Sequence, residues 1–125
     1  MTSRRADRAV LAATVVANLA LLYWPRTVAT GGAPHLDKVV HLVSFAAVAW
    51  AGTRAEVRTA VLVPLLVVHA VCSEVVQAWL LAGRSGDPAD VVADLTGILL
   101  GVLAATRPGR ASWRDERAGP PRGGR

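Results

Sequence analysis

Apolar residues fall into four long runs along this chain, separated by short stretches that hold most of its charge. From Ala9 to Trp24 only Thr14 and Asn18 are even weakly polar, and Pro25 stops the run. The second run, about 36–52, carries Asp37, Lys38 and His41, so taken alone it is a poor membrane span. The third, 60–82, would be about 34 Å long as an α-helix, enough to cross a bilayer core of about 30 Å with some tilt. Pro64 lies in its first turns, where it can kink the helix. The fourth run covers 88–106 and ends before Arg107 and Pro108. The pattern predicts an all-α fold, an integral membrane four-helix transmembrane bundle spanning 9–106. A basic stretch, 1–8, precedes it. The tail 107–125, rich in Arg, Gly and Pro and without apolar periodicity, is expected to be disordered. Residues 10–24 and 95–105 offer no polar face to water, which disfavours a soluble four-helix protein.

Charge placement sets an expected orientation. The N-terminus, the 53–59 loop and the tail together hold eleven of the fourteen basic residues; Arg26, Lys38 and Arg84 are the other three. The positive-inside rule then places both termini in the cytoplasm. Tyr23, Trp24 and Trp79 fall at the outer interface and Trp50 at the inner one, where aromatic belts form. A cleaved signal peptide is the rival for 1–29, given the basic start and Thr27-Val28-Ala29, but the apolar core is long for that role. Cleavage would leave the other three spans in place.

Composition agrees. Hydrophobic residues make up 53% and charged residues only 18%, below the roughly 25% usual in soluble domains. A pI near 11 would suit nucleic acid, yet the basic residues flank apolar runs instead of paving one surface. They suit anionic lipid headgroups, and no nucleic-acid partner is expected. Cys72 is the only cysteine, so neither an internal disulfide nor a cysteine metal cage can form.

The chemistry lies in the polar residues that interrupt the spans. An ionisable group at mid-bilayer costs about 2.5–3.5 kcal/mol on insertion scales, so such groups face a bundle interior and mark function. Asp37, His41 and Ser44 share one stripe of the second helix, at i, i+4 and i+7. Glu74 and Gln77 share a face near the outer end of the third. On the fourth, Asp90 and Asp94 continue into Gly97 and Gly101, a GxxxG pair that admits a close neighbouring helix. All three stripes belong to the outer half of the bilayer. Asp87 suits the N-cap of the fourth helix, Pro88 its first position, and Asp90 the acidic position of a capping box. The turn Gly83-Arg84-Ser85-Gly86 holds Arg84 at headgroup level.

Leu36-Asp37-Lys38-Val39-Val40-His41 resembles the D-K-x-x-H signature of VanZ-like proteins, small bacterial membrane proteins named after a teicoplanin-resistance determinant. Glu74-x-x-Gln77, then Gly83-Arg84-Ser85-Gly86-Asp87, Asp90, Asp94 and Gly97, resemble that family's E-x-x-Q, G-R-S and D-x-x-x-N-x-x-G motifs, in order and with similar spacing. The resemblance covers about 10–105. Asp94 stands where the family pattern has asparagine, and Leu42 where an aromatic follows the histidine. The resemblance implies a multi-pass protein of the bacterial plasma membrane linked to glycopeptide or lipoglycopeptide resistance. It does not establish an enzyme.

Several roles stay open for the individual residues. His41 is either an interhelical hydrogen-bonding group or a general base or metal ligand poised by Asp37 or Glu74. Glu74 is either a neutral buried acid or a catalytic or ligand carboxylate, and Asp94 is the third catalytic candidate. No local ligand motif such as HExxH exists, so neither a metal nor another cofactor is expected. Ser85 lacks a GxSxG elbow; Arg84 suits a phosphate clamp. The expected binding set is Asp37, Lys38, His41, Glu74, Gln77, Arg84, Ser85, Asp87, Asp90 and Asp94. His69 reads as a packing or helix-contact residue and Cys72 as a small buried one. Three functions remain. One is a non-enzymatic protein that binds a glycopeptide antibiotic or lipid-linked cell-wall precursor. Another is a small membrane enzyme acting on a lipid or precursor headgroup. The last is a non-catalytic subunit of an envelope complex. Membrane lipids are partners in each, and a homo-oligomer is compatible with all.

Overall fold

The computed structural model describes residues 2–24, 34–81 and 86–107. The predicted tail, Arg84, Ser85 and the 25–33 connection lie outside the described residues. The described chain is all-helical, with α1 at Thr2–Tyr23, α2 at Pro34–Arg54, α3 at Thr59–Leu80 and α4 at Pro88–Thr106. The helix expected from residue 9 starts at Thr2 instead, taking the basic stretch into α1. Arg and Ala are strong helix formers, so the helix continues past the apolar run that marked it.

The helix that is not long and apolar enough to cross a membrane by itself occupies the middle. α2 packs most extensively on α4, then on α1 and α3, while α1 and α3 barely meet. α1, α3 and α4 are each long and apolar enough to cross a membrane, and α2 is not among them. The weak second run is thus explained: three greasy helices clothe a polar one. Polarity is inverted relative to a water-soluble protein. Asn18, His41, Ser44, Ser73, Glu74, Gln77, Asp90 and Asp94 are buried, whereas Leu65, Val68, Val92, Leu99 and Trp79 are exposed. Only 11% of the α1 window is buried within the protein. Such a surface matches lipid, which solvates apolar side chains and leaves polar ones to find partners inside.

The α2/α4 seam is set by glycine. A Cβ added at Gly97 would overlap the backbone carbonyl oxygen of Leu42, and one at Gly101 that of Ala46. The GxxxG stripe therefore brings α4 against the backbone of α2, as its spacing predicts. α2 ends in a Schellman-type turn: Val57 N–H donates to the Gly52 carbonyl at 3.0 Å and Glu56 N–H to that of Thr53 at 3.1 Å. Glu56 takes the left-handed position with φ 61°. The turn meets the start of α1, where Arg4 pairs with Glu56 at 3.3 Å and Arg54 approaches Asp7 at 4.0 Å. Arg54 also lies over the Trp50 ring, 5.8 Å from its centroid. The N-terminus and the 54–58 loop accordingly share one end of the bundle, and the acidic stripes lie toward the other.

Candidate functional site

Three helices contribute to one buried polar column. α2 brings Asp37 and Lys38 on one turn and His41 on the next, α4 brings Asp90 and Asp94, and α3 brings Glu74. Close α2/α4 contact at Gly97 is what lets short aspartate side chains reach across to α2.

The outermost layer is ionic. Lys38 Nζ donates to Asp87 Oδ2 at 2.6 Å and to Asp90 Oδ1 at 3.2 Å. Asp87 caps α4, with Oδ1 accepting the Ala89 N–H at 2.9 Å. The Lys38 hydrogen bond, then the Ala89 bond, hold the Asp87 carboxyl below its ordinary range. Asp90 does not complete the expected capping box. Its carboxylate turns to Lys38, and the Asp87 N–H instead donates to Glu74 Oε2 at 3.0 Å. An acid from α3 thus replaces the local one, because α3 ends beside the start of α4.

One turn deeper lies the least solvated part. His41 Nδ1 is 3.0 Å from Asp94 Oδ1 and 3.7 Å from Glu74 Oε1. His41 and Asp94 are fully buried, and Glu74 nearly so. Three side-chain atoms there have no hydrogen-bond partner: His41 Nε2, Glu74 Oε1 and Asp94 Oδ2. An unsatisfied buried polar atom costs about 1–3 kcal/mol, and more if charged. Three such atoms on three neighbouring side chains are not explained by packing, which would place apolar groups there. With Asp94 ionised, His41 Nδ1–H donates to it, leaving a bare lone pair at Nε2.

Below this layer a neutral chain closes the column. Ser44 Oγ donates to the His41 carbonyl at 3.0 Å and accepts from Asn18 Nδ2 at 3.1 Å. Asn18 Oδ1 is 2.9 Å from His69 Nε2, and His69 also packs on the rings of Phe45 and Tyr23. The reading of His69 as a helix-contact residue agrees with this placement. Asn18 was passed over as a weakly polar member of the first span, yet it ties α1 to α2 and α3. The available signal was the amide itself, which must find a partner in hydrocarbon. An apolar groove of about 330 Å³ opens beside Asn18 and Ser44, lined by Ala17, Leu21, Val39 and Val43.

Of the expected binding set, Asp37, Lys38, His41, Glu74, Asp87, Asp90 and Asp94 lie in the column, with Asp37 half-buried beside His41 and Asp90. Gln77 does not join them. Its Nε2 donates to the Leu22 carbonyl at 3.3 Å, covering one of the last carbonyls of α1. His41 between two carboxylates can accept and pass a proton, and the same atoms can ligate a cation. Comparison with family models, with curated proteins and with solved structures finds no match for this chain.

Proposed function

We propose that this chain is a VanZ-like integral membrane protein of the bacterial plasma membrane, multi-pass with both termini cytoplasmic. In this reading it engages a lipid-linked cell-wall precursor or a glycopeptide antibiotic at the outer leaflet and so lowers susceptibility to teicoplanin-type drugs. The observation that carries the proposal is convergence. Asp37, Lys38 and His41, Glu74, and Asp87, Asp90 and Asp94 are the separate motifs of the family resemblance, and they meet in one column. Buried polar atoms without partners support a ligand role over a packing role, since packing leaves no reason to keep them. The apolar groove beside the column supports a lipid-bearing ligand. Arg84, next in the motif order, suits the phosphate of such a headgroup.

The test is drug susceptibility of cells expressing wild type, His41→Gln or Arg84→Ala at matched protein levels. Wild type is expected to raise the inhibitory glycopeptide concentration over empty vector, and both variants to return it to that baseline. Equal susceptibility in all four strains removes the resistance role. A second reading, a small enzyme acting on a lipid or precursor headgroup, is favoured by the His41 contacts with Asp94 and Glu74, a geometry suited to acid–base work. Turnover of a labelled lipid-linked precursor by wild type, abolished in Glu74→Gln, would select it. Loss of folded protein in both variants would instead favour the role of a non-catalytic envelope subunit.

A further inference from the structure

We propose that His41, Glu74 and Asp94 form a binding site for a divalent first-row transition-metal ion of the zinc or manganese class. The inference rests on reading the buried column as a ligand site, and it runs against the expectation that no metal binds. No local ligand motif marks the site because each donor comes from a different helix.

Geometry is the first argument. One ligand atom from each of the three residues lies within 4.8 Å of the others, and two of the separations are 3.0 and 3.7 Å. Bonds of about 2.1 Å to one tetrahedral ion put neighbouring donors about 3.4 Å apart, so small side-chain adjustments close the site. The second argument is the unpartnered oxygen. Glu74 Oε1, on a side chain only 9% exposed, faces His41 Nδ1 with no hydrogen-bond donor. Its sister Oε2 is fixed by the Asp87 N–H, the kind of outer hydrogen bond that orients a ligating carboxylate. Asp94 Oδ2, on a side chain with no exposure, is likewise without a partner.

Charge is the third argument. The Lys38 ammonium is already engaged by Asp87 and Asp90 one turn above. Among the described residues, His41 is the group that contacts Glu74 and Asp94 as a cation, and only when protonated. Two ionised carboxylates are strongly unfavourable in a low-dielectric interior, and a divalent ion compensates both. The donor set selects its class. An imidazole with two carboxylates suits zinc, manganese or iron, whereas calcium takes six to eight oxygens. A second group, Asp37, His41 and Asp90, shares the same imidazole. It is the poorer site because Asp90 is held by Lys38. Three protein ligands leave coordination open for an oxygen donor, such as a headgroup phosphate.

The test uses full-length protein without a histidine tag, stripped with chelator and placed in nanodiscs. Zinc titration against a competing chelator is expected to give one ion per chain, bound with a Kd below about 1 μM. His41→Gln, Glu74→Gln and Asp94→Asn should each weaken binding by about 100-fold or more, beyond what loss of an outer hydrogen bond does. Pulsed electron paramagnetic resonance of manganese-loaded wild type should detect a directly bound imidazole nitrogen, a result that needs no variant to fold. Absence of zinc and manganese binding at millimolar concentration, or bound manganese without imidazole nitrogen, overturns the site. So does undiminished affinity in correctly folded variants, and protons then balance the carboxylates. Metal bound in a strain whose drug susceptibility is unchanged removes the resistance reading and leaves the site standing. Susceptibility that depends on His41 with no metal bound does the reverse.

Discussion

Lys38 fastens the outer rim of the column, and its partner Asp87 gives that rim a pH dependence with a definite sign. Asp87 lies just outside α4, and its carboxyl is held low chiefly by the Lys38 hydrogen bond and then by the Ala89 N–H. A group whose folded value is depressed contributes stability that is complete above its unfolded value, about 3.9 for aspartate, and is lost as pH falls through the folded value. Detergent-solubilised wild type should therefore lose thermal stability relative to Lys38→Met as pH drops from 5 towards 3. Melting curves for both proteins across that window check it, and parallel curves would refute the coupling. High salt should narrow the gap, because the pair is partly exposed and screened. The site was legible at this scale wherever partners share a helix. Asp37 with His41 and Asp90 with Asp94 are i, i+4 pairs, so their common faces follow from helical period. Glu74 as the acceptor for the Asp87 N–H was not legible. Local spacing nominates Asp90 for that bond, and only the approach of α3 to α4 gives it to Glu74.

Among the elements, α2 and α4 form the pair on which the site depends. Gly97 faces the Leu42 carbonyl, and a backbone atom cannot turn aside as a side-chain end can. Gly97→Leu should push α4 off α2, separate His41 from Asp94 and destabilise the bundle by about 1–3 kcal/mol or more, the usual cost of overpacking. Lipid-exposed Leu99→Ala should change stability little. Melting midpoints of the two variants in one detergent decide it, and equal midpoints would show that the seam is not tight. The glycine stripe was readable because small residues four apart have few other uses in a span. Helix ends were readable where capping chemistry is strong. α4 runs over the predicted 88–106, fixed by the Asp87 cap and Pro88. They were less so where hydropathy alone drew the line. α1 reaches back to Thr2, and α2 spans Pro34–Arg54 beyond the predicted 36–52. Both extensions are mostly polar, with Ala6 and Pro34 as exceptions, and helical propensity and end-capping accommodate residues that an apolar count ignores.

For the whole molecule, the decisive property is that its apolar surface points outward, and Cys72 samples that surface. Cys72, expected from the sequence to be buried, is instead exposed on α3, about 12 Å along the helix from Leu80 at 1.5 Å per residue. Were the bundle in water, an exposed thiol would react readily with a charged, water-soluble maleimide at neutral pH. In a bilayer the same thiol faces acyl chains, where the charged reagent does not enter. Impermeant maleimide should accordingly leave Cys72 unlabelled in spheroplasts, in inverted vesicles and in nanodiscs, and label it fully once the protein is denatured in detergent. Rapid labelling of the native protein from both faces would overturn the membrane-spanning architecture while leaving the helical fold intact. The same chemistry tests orientation. In a Cys72→Ser/Glu56→Cys protein the new thiol lies in the exposed turn beside the start of α1. It should react in inverted vesicles and not in spheroplasts if the basic loop is cytoplasmic. Labelling in spheroplasts alone would place that loop outside the cell and the end of the bundle that holds the buried column toward the cytoplasm.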